Sequence, residues 1–316
     1  MNTSHKKFIL VINYLKGGEE MSIDLGKVIT AMVTPFNDQL EVDYNQAVKL
    51  AERLIKEGTD TVLLSGTTGE SPTVATEEKL HLFEQVTKAL KGKALIMAGT
   101  GDNDTKYSIE FSKEAEKLGV DCLLLVVPYY NKPSQESLYA HYKAIANAVS
   151  LPVVLYNVPS RTVTNLEPAT VARLSQIDNI IGVKEACGNM DQVSNLKMLV
   201  PEDFKIYSGD DSLTLPMLSL GCHGVTSVAS HVVGKEIQEM ITLFMEGKLS
   251  EARELHYKLL PVFKAMFITT NPAPVKAAVN MTGLDVGSLR LPLLDVNQEQ
   301  KQLIYEELKA FRSVSM

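Results

Sequence analysis

Much that would point to a partner or a prosthetic group is absent from this chain. Its 316 residues hold only three cysteines, Cys122, Cys187 and Cys222, an odd number without CxxC spacing. Each sits among apolar or small residues, as reduced core thiols do, so a disulfide framework is excluded and a reducing, cytoplasmic compartment is expected. No run rich in Lys and Arg occurs, and the net charge is -7. Nothing in that balance attracts phosphate backbones or anionic lipid, so neither nucleic acid nor a membrane is an expected partner. No apolar run approaches the ~18 residues of a membrane span. The six histidines are scattered, with no HxH or HExxH, and the expectation is a reaction without metal. No GxGxxG follows the first apolar strand, which removes the usual dinucleotide crevice.

The N-terminus imitates a secretory signal, with a basic start and a short apolar run in MNTSHKKFILVINYL. Asn13 interrupts that run, and KGGEE follows in place of a small-residue cleavage site. Lys16-Gly17-Gly18-Glu19-Glu20-Met21 reads better as a purine-rich ribosome-binding site translated in frame. Met21 is therefore the expected natural start, and residues 1–20 a leader or tail with no part in the fold.

From Val28 onward, short runs rich in Val, Ile and Leu alternate with amphipathic helical segments. The strand candidates are VITAMVTPF from 28, DTVLLSGTT from 60, ALIMAGTG from 94, VDCLLLVVPYY from 120, PVVLYNVP from 152, NIIGVKEA from 179, FKIYSGD from 204 and HGVTSVA from 223. Continuous apolar strands separated by helices mean a parallel sheet covered on both faces, and eight such units close a (β/α)8 TIM barrel. A doubly wound open sheet is the competing arrangement. Beyond the eighth strand the pattern is helical only, so a barrel over 21–247 and a C-terminal helical appendage over 248–316 are expected. No low-complexity linker separates them.

Chemistry in such a barrel sits at the C-terminal strand ends. Here those ends carry Gly66-Thr67-Thr68-Gly69-Glu70-Ser71, Pro128-Tyr129-Tyr130-Asn131, Tyr156-Asn157-Val158-Pro159-Ser160-Arg161 and Lys184-Glu185-Ala186. An amine at that place can condense with a ketone to give a Schiff base, an electron sink for carbanion chemistry, once it is unprotonated. A strand lysine otherwise pairs with a neighbour such as Glu185 or reaches out to solvent. Tyr156 ends the adjacent strand and can move protons; the Gly-Thr-Thr-Gly turn offers N–H groups and hydroxyls to a carboxylate; Arg161 offers a fork to a second one. Ser208-Gly209-Asp210-Asp211 ends the seventh strand with two carboxylates that repel a phosphoester. The residues point to a Schiff-base lyase or aldolase acting on small keto acids, and leave its substrates open.

Together, GTTGES at 66–71, PYYNKPSQE at 128–136, LYNVPSRT at 155–162, GVKEA at 182–186, SGDD at 208–211 and NPAPVK at 271–276 resemble the dihydrodipicolinate synthase family of lysine and diaminopimelate biosynthesis. The resemblance runs from about Val28 to the C-terminus. It implies that Lys184 forms an imine with pyruvate, so that no other cofactor is needed, and that Thr67 and Thr68 hold the pyruvate carboxylate. Tyr156, Thr67 and Tyr130 become the proton relay, with Tyr130 serving the neighbouring subunit of a homotetramer built from two tight dimers. Arg161 binds the second substrate, L-aspartate 4-semialdehyde, and Gly209 and Thr226 join the substrate-binding positions. Thr226 departs from the apolar β-branched residue of many members. N-acetylneuraminate lyase and other pyruvate aldolases of the superfamily are the alternative, but lack the YNVPSR arginine; a barrel that only binds amino acids is a further one. Lys276 of NPAPVK is the rival nucleophile, set by Pro274 in the first turn of a helix outside the strands.

Lysine-sensitive members resemble one another in a cleft lined by a serine, an alanine, two histidines, an asparagine, a glutamate and the first tyrosine of PYYN. This chain keeps Ser71, Asn103 and Tyr129, but has Pro72 for the alanine, Thr76 and Lys79 for the histidines and Tyr107 for the glutamate. The resemblance therefore implies an enzyme that L-lysine does not inhibit.

Overall fold

The structure, a computed structural model, describes residues 23–314; the leader expected over 1–20 lies outside them. The strands are β1 (Val28–Ala31), β2 (Thr61–Leu64), β3 (Leu95–Gly99), β4 (Cys122–Val126), β5 (Val153–Asn157), β6 (Ile180–Glu185), β7 (Lys205–Ser208) and β8 (Gly224–Ser227). Each pairs in parallel with its successor, and β8 pairs with β1, closing the barrel. The open-sheet alternative is excluded. Helices α1 (Tyr44–Lys56), α2 (Thr76–Leu90), α3 (Thr105–Lys117), α4 (Gln135–Ala146), α5 (Pro159–Thr162), α6 (Pro168–Leu174), α7 (Met190–Leu199) and α8 (Thr214–Ser219) lie between strands. After β8 come α9 (Ser230–Met245), α10 (Leu249–Ala265), α11 (Ala273–Met281) and α12 (Gln298–Val314). No helix among the described residues is long and apolar enough to cross a membrane.

The strands read as unbroken apolar runs because both their faces are covered. Val28, Val62, Ile96, Leu123, Val153, Val183, Ile206 and Val225 pack outward in the layer beneath the helices. Ile29, Leu63, Met97, Cys122, Leu124, Val154, Tyr156 and Tyr207 fill the interior, joined by Ile23 and Leu25 of the entering chain. Side-chain caps start several helices: Asp43 accepts from Gln46 N–H before α1, Asp104 from Lys106 N–H before α3, and Asn189 from Gln192 N–H before α7. The strands are shorter than the apolar runs. The fourth run leaves the ladder soon after Val127, whose N–H still donates to the Tyr156 carbonyl at 2.9 Å, so Tyr129 and Tyr130 belong to a loop.

Buried polar groups lock the seam where β8 returns to β1. The Thr30 hydroxyl contacts those of Thr59 and Ser230 at 2.6 and 2.8 Å. Asp211 accepts from the Ser227 hydroxyl and from the N–H groups of Val228 and Ala229 at 3.1 and 3.0 Å. Burial nevertheless pushes this carboxyl up to about 6. His231 Nε2 accepts from Val33 N–H at 3.1 Å and its Nδ1 meets the Val228 carbonyl at 2.8 Å, a geometry that requires the neutral ring with its proton on Nδ1.

Burial holds the His231 pKa down at about 4, against an ordinary 6.5. Its contribution is thus fully present above pH 6.5 and lost as pH falls through about 4. At neutral pH His231→Gln should lower the unfolding free energy in urea by about 1–3 kcal/mol. Wild-type stability should fall more steeply than the variant's on acidification through that window; parallel losses would show that this ring is not the group that titrates.

Candidate active site

On β6, period-two alternation turns Val183 outward, Lys184 into the barrel and Glu185 outward again. Lys184 is paired in register with Tyr156 on β5 and Tyr207 on β7, and its Nζ lies 4.2 Å from the Tyr156 ring centroid. It is buried, and no carboxylate among the described residues stands within ion-pair distance of it. Glu185, the partner an idle strand lysine would take, is engaged elsewhere. It accepts from Asn157 Nδ2 at 3.0 and 3.1 Å, from Cys187 N–H at 2.8 Å and from Gln192 Nε2 at 3.4 Å. Burial raises its pKa while these donors oppose the rise. The Asn157 side chain also accepts from Leu166 N–H at 2.9 Å. Behind the tyrosine and lysine, then, a polar layer ties the ends of β5 and β6 together.

The turn after β2 is tightly wound. Ser65 and Glu70 hold positive φ of 55° and 53°, a region that side chains other than Asn and Asp seldom occupy. Gly99 lets the turn approach β3, since a Cβ there would lie 2.5 Å from the Ser65 carbonyl oxygen. The Thr68 hydroxyl accepts from Asn271 Nδ2 at 2.9 Å. No hydrogen bond among the described residues uses the backbone N–H of Thr67 or Thr68. Beneath the turn, Glu70 Oε1 is 2.7 Å from Lys276 Nζ, and Glu70 Oε2 accepts from Arg290 N–H at 3.0 Å. The Glu70–Lys276 pair is wholly buried, and breaking such a pair costs about 3–5 kcal/mol. Lys276 also donates to the Ser288 carbonyl at 2.8 Å, and burial lowers its pKa while Glu70 draws it back up. It stands in the first turn of α11, engaged under the turn and off the cavity wall.

A cavity of about 250 Å³ opens at this end of the barrel. Thr67, Tyr156 and Arg161 stand on its wall, with Ser65, Ser71, Lys79, Asp102, Tyr107, Phe111 and Tyr129. Arg161 is exposed on the short α5, and its guanidinium makes no ion pair or hydrogen bond among the described residues. Tyr129 donates its hydroxyl to Asp102 Oδ2 at 2.9 Å. Tyr130 is turned away: it is 93% exposed, has φ of 75°, and touches no part of this cavity. Gly209 directly follows β7 and Thr226 lies within β8; both are off the cavity wall, as are Lys184 and Thr68. Gly209 N–H donates to the Glu185 carbonyl at 2.8 Å, and a Cβ at Gly209 would fall 2.6 Å from that of Ala186. Thr226 is buried, with no hydrogen bond from its hydroxyl among the described residues.

Sequence reasoning missed Asn271, Asp102 and the Glu70–Lys276 pair. NPAPVK had directed attention to Lys276 alone, and the Asn271 contact to Thr68 spans 203 positions. A more open groove of about 410 Å³ between α1 and α9, bordered by Lys56, Lys235 and Gln238, brings no reactive groups together.

The model of the dihydrodipicolinate synthetase family matches residues 24–311. A 4-hydroxy-tetrahydrodipicolinate synthase from Heliobacterium modesticaldum is 54% identical over 289 residues, covering 92% of this chain and 96% of its own. That of Bacillus velezensis is 52% identical over 279 residues, 88% and 96% of the two chains. A crystal structure of dihydrodipicolinate synthase from Bacillus anthracis superposes with a TM-score of 0.90 at 45% identity, covering 92% of this chain and 99% of that one. The enzyme from Cyanidioschyzon merolae, solved with lysine bound, has the same score and identity, with coverage of 91% and 98%. With the family matched along nearly its whole described length, and with a buried amine beside a tyrosine at the barrel's C-terminal end, this chain belongs to the dihydrodipicolinate synthetase family.

Proposed function

We propose that Lys184 is the nucleophile, that Tyr156, Thr67 and Tyr130 relay protons, and that Thr67 and Thr68 hold the carboxylate of pyruvate. The chain is a lyase of lysine and diaminopimelate biosynthesis, condensing pyruvate with L-aspartate 4-semialdehyde to 4-hydroxy-tetrahydrodipicolinate. Lys184 Nζ adds to C2 of pyruvate and water leaves, giving the imine. Loss of a C3 proton gives the enamine, whose C3 attacks the aldehyde carbon while the new alkoxide takes a proton. The semialdehyde's amine then adds to the imine carbon, closes the ring and displaces Lys184. The imine is the only covalent aid invoked, and no metal enters.

The observation that carries this reading is the buried Lys184 amine without a carboxylate partner, 4.2 Å from the Tyr156 ring. The unused N–H groups of Thr67 and Thr68 suit a carboxylate, and the unpaired Arg161 suits the second substrate's carboxylate. Gly209 and Thr226 complete the far side of the substrate site in this reading. Tyr130, exposed and held at positive φ, is displayed for another subunit; this supports a shared site within a homotetramer of two tight dimers. The compartment is the cytoplasm.

Borohydride with pyruvate should add one reduced pyruvyl group to the peptide bearing Lys184, and Lys184→Ala should remove it. Label on Lys276 would overturn the assignment. Mixing inactive Tyr130→Phe with inactive Lys184→Ala should restore activity, because a hybrid dimer holds one site with both native groups. Proven subunit exchange without recovery would end the shared-site reading.

L-Lysine should not inhibit. Tyr107 offers no carboxylate to an ammonium group, its hydroxyl being 2.7 Å from that of Thr76, and Lys79 lines the same cavity. Each lost charge-assisted contact is worth ~2 kcal/mol, enough to erase a modest affinity. Initial rates should stay flat as lysine rises to large excess at neutral pH; saturable inhibition would refute this account of the cavity.

A further inference from the structure

Three lysines among the described residues are at least nine-tenths buried: Lys79, Lys184 and Lys276, at 9%, 6% and 1% exposure. Lys276 is paired with Glu70. Lys184 has its chemistry in the proposed function. Lys79 has neither, since its ammonium has no carboxylate within ion-pair distance and makes no hydrogen bond among the described residues; the Phe111 ring lies 5.6 Å away to its centroid, and the charge of Asp102 acts on it from beyond ion-pair distance. Its placement is doubly unfavourable. Burial lowers its pKa, and the charge of Asp102 draws it only part of the way back; it also stands in the first turn of α2, where the positive end of the helix dipole repels a cation. An unpaired buried charge of this kind is stabilised when an anion shares its cavity.

We propose that Lys79, with the Ser71 hydroxyl, forms a second subsite for a small monocarboxylate, in the outer part of the cavity whose inner wall includes Thr67 and Tyr156. Both groups stand on the wall of that cavity. The Ser71 hydroxyl oxygen accepts from Ser65 Oγ at 3.2 Å, which leaves its own hydrogen free to donate to a carboxylate. Asp102, on the same wall, limits the ligand. Its carboxylate already receives the Tyr129 hydroxyl at 2.9 Å and Asp104 N–H at 3.2 Å, and it does not reach Lys79. A second negative charge on the ligand would face it, so one carboxylate is the charge the subsite accepts. Phe111 and Pro72 supply apolar wall for a short carbon chain. Pyruvate has these properties, so the inference rests on the reading of Lys184 as the catalytic amine while assigning a separate, non-covalent place for the same class of acid.

The test separates the two. Borohydride and pyruvate first block Lys184, and intact mass confirms one adduct on each chain; failure at this stage would count against the catalytic reading alone. The blocked enzyme is then titrated with fresh pyruvate by calorimetry in chloride-free buffer. Saturable binding of one pyruvate per chain is expected. It should be about tenfold weaker in blocked Lys79→Gln and retained in blocked Lys79→Arg, because a charge-assisted contact is lost in the first and kept in the second. Each variant's mass adduct on Lys184 and its thermal melt show that it is folded. Absence of binding to the blocked wild type, or undiminished binding to folded Lys79→Gln, would overturn the proposal.

Discussion

Everything at the mouth of the barrel depends on the alternation of two adjacent side chains on β6. Lys184 and Glu185 are neighbours in sequence, yet the pleat sends one into the barrel and the other toward α7. Had they shared a face, they would have neutralised each other as an ordinary ion pair. Apart, the amine lies against the Tyr156 ring, and the carboxylate accepts hydrogen bonds from Asn157, Cys187 and Gln192. The same bonds hold β5 to β6 at the level where tyrosine meets lysine, so the register and the lysine–tyrosine contact are one arrangement.

The C-terminal helical region extends this logic to the turn after β2. Lys276 reaches Glu70, Arg290 reaches Glu70 with its N–H and Glu78 with its guanidinium, and Asn271 reaches Thr68. These contacts fix a turn that holds two residues at positive φ. The helices after β8 are therefore more than packing on the barrel: they shape the backbone that presents the Thr67 and Thr68 N–H groups. Lysine serves three purposes here by environment alone. It is paired in Lys276, buried against the Tyr156 ring without a carboxylate partner in Lys184, and left facing a cavity in Lys79.

Much of the architecture was legible from the sequence because it rests on local rules. Eight continuous apolar runs at near-regular spacing, each followed by an amphipathic segment, leave few ways to cover both faces of a parallel sheet. Lys184, Tyr156, Thr67 and Arg161 stood out because strand ends in a barrel face one mouth. Strand length was less legible, since an apolar run does not reveal where its backbone leaves the ladder; the run from 120 is paired only over Cys122–Val126.

The sequence by itself determined the barrel, the converging strand ends and the sign of every charge, because periodicity and residue chemistry are local properties. Tertiary structure alone decided which lysine is paired and which is bare, that Glu185 turns its back on Lys184, that Asn271 steadies Thr68 across 203 positions, and that Tyr130 faces away from its own cavity. The physical reason is that burial and pairing depend on groups brought together by closure of the barrel, and no local pattern encodes which distant carboxylate a lysine will meet.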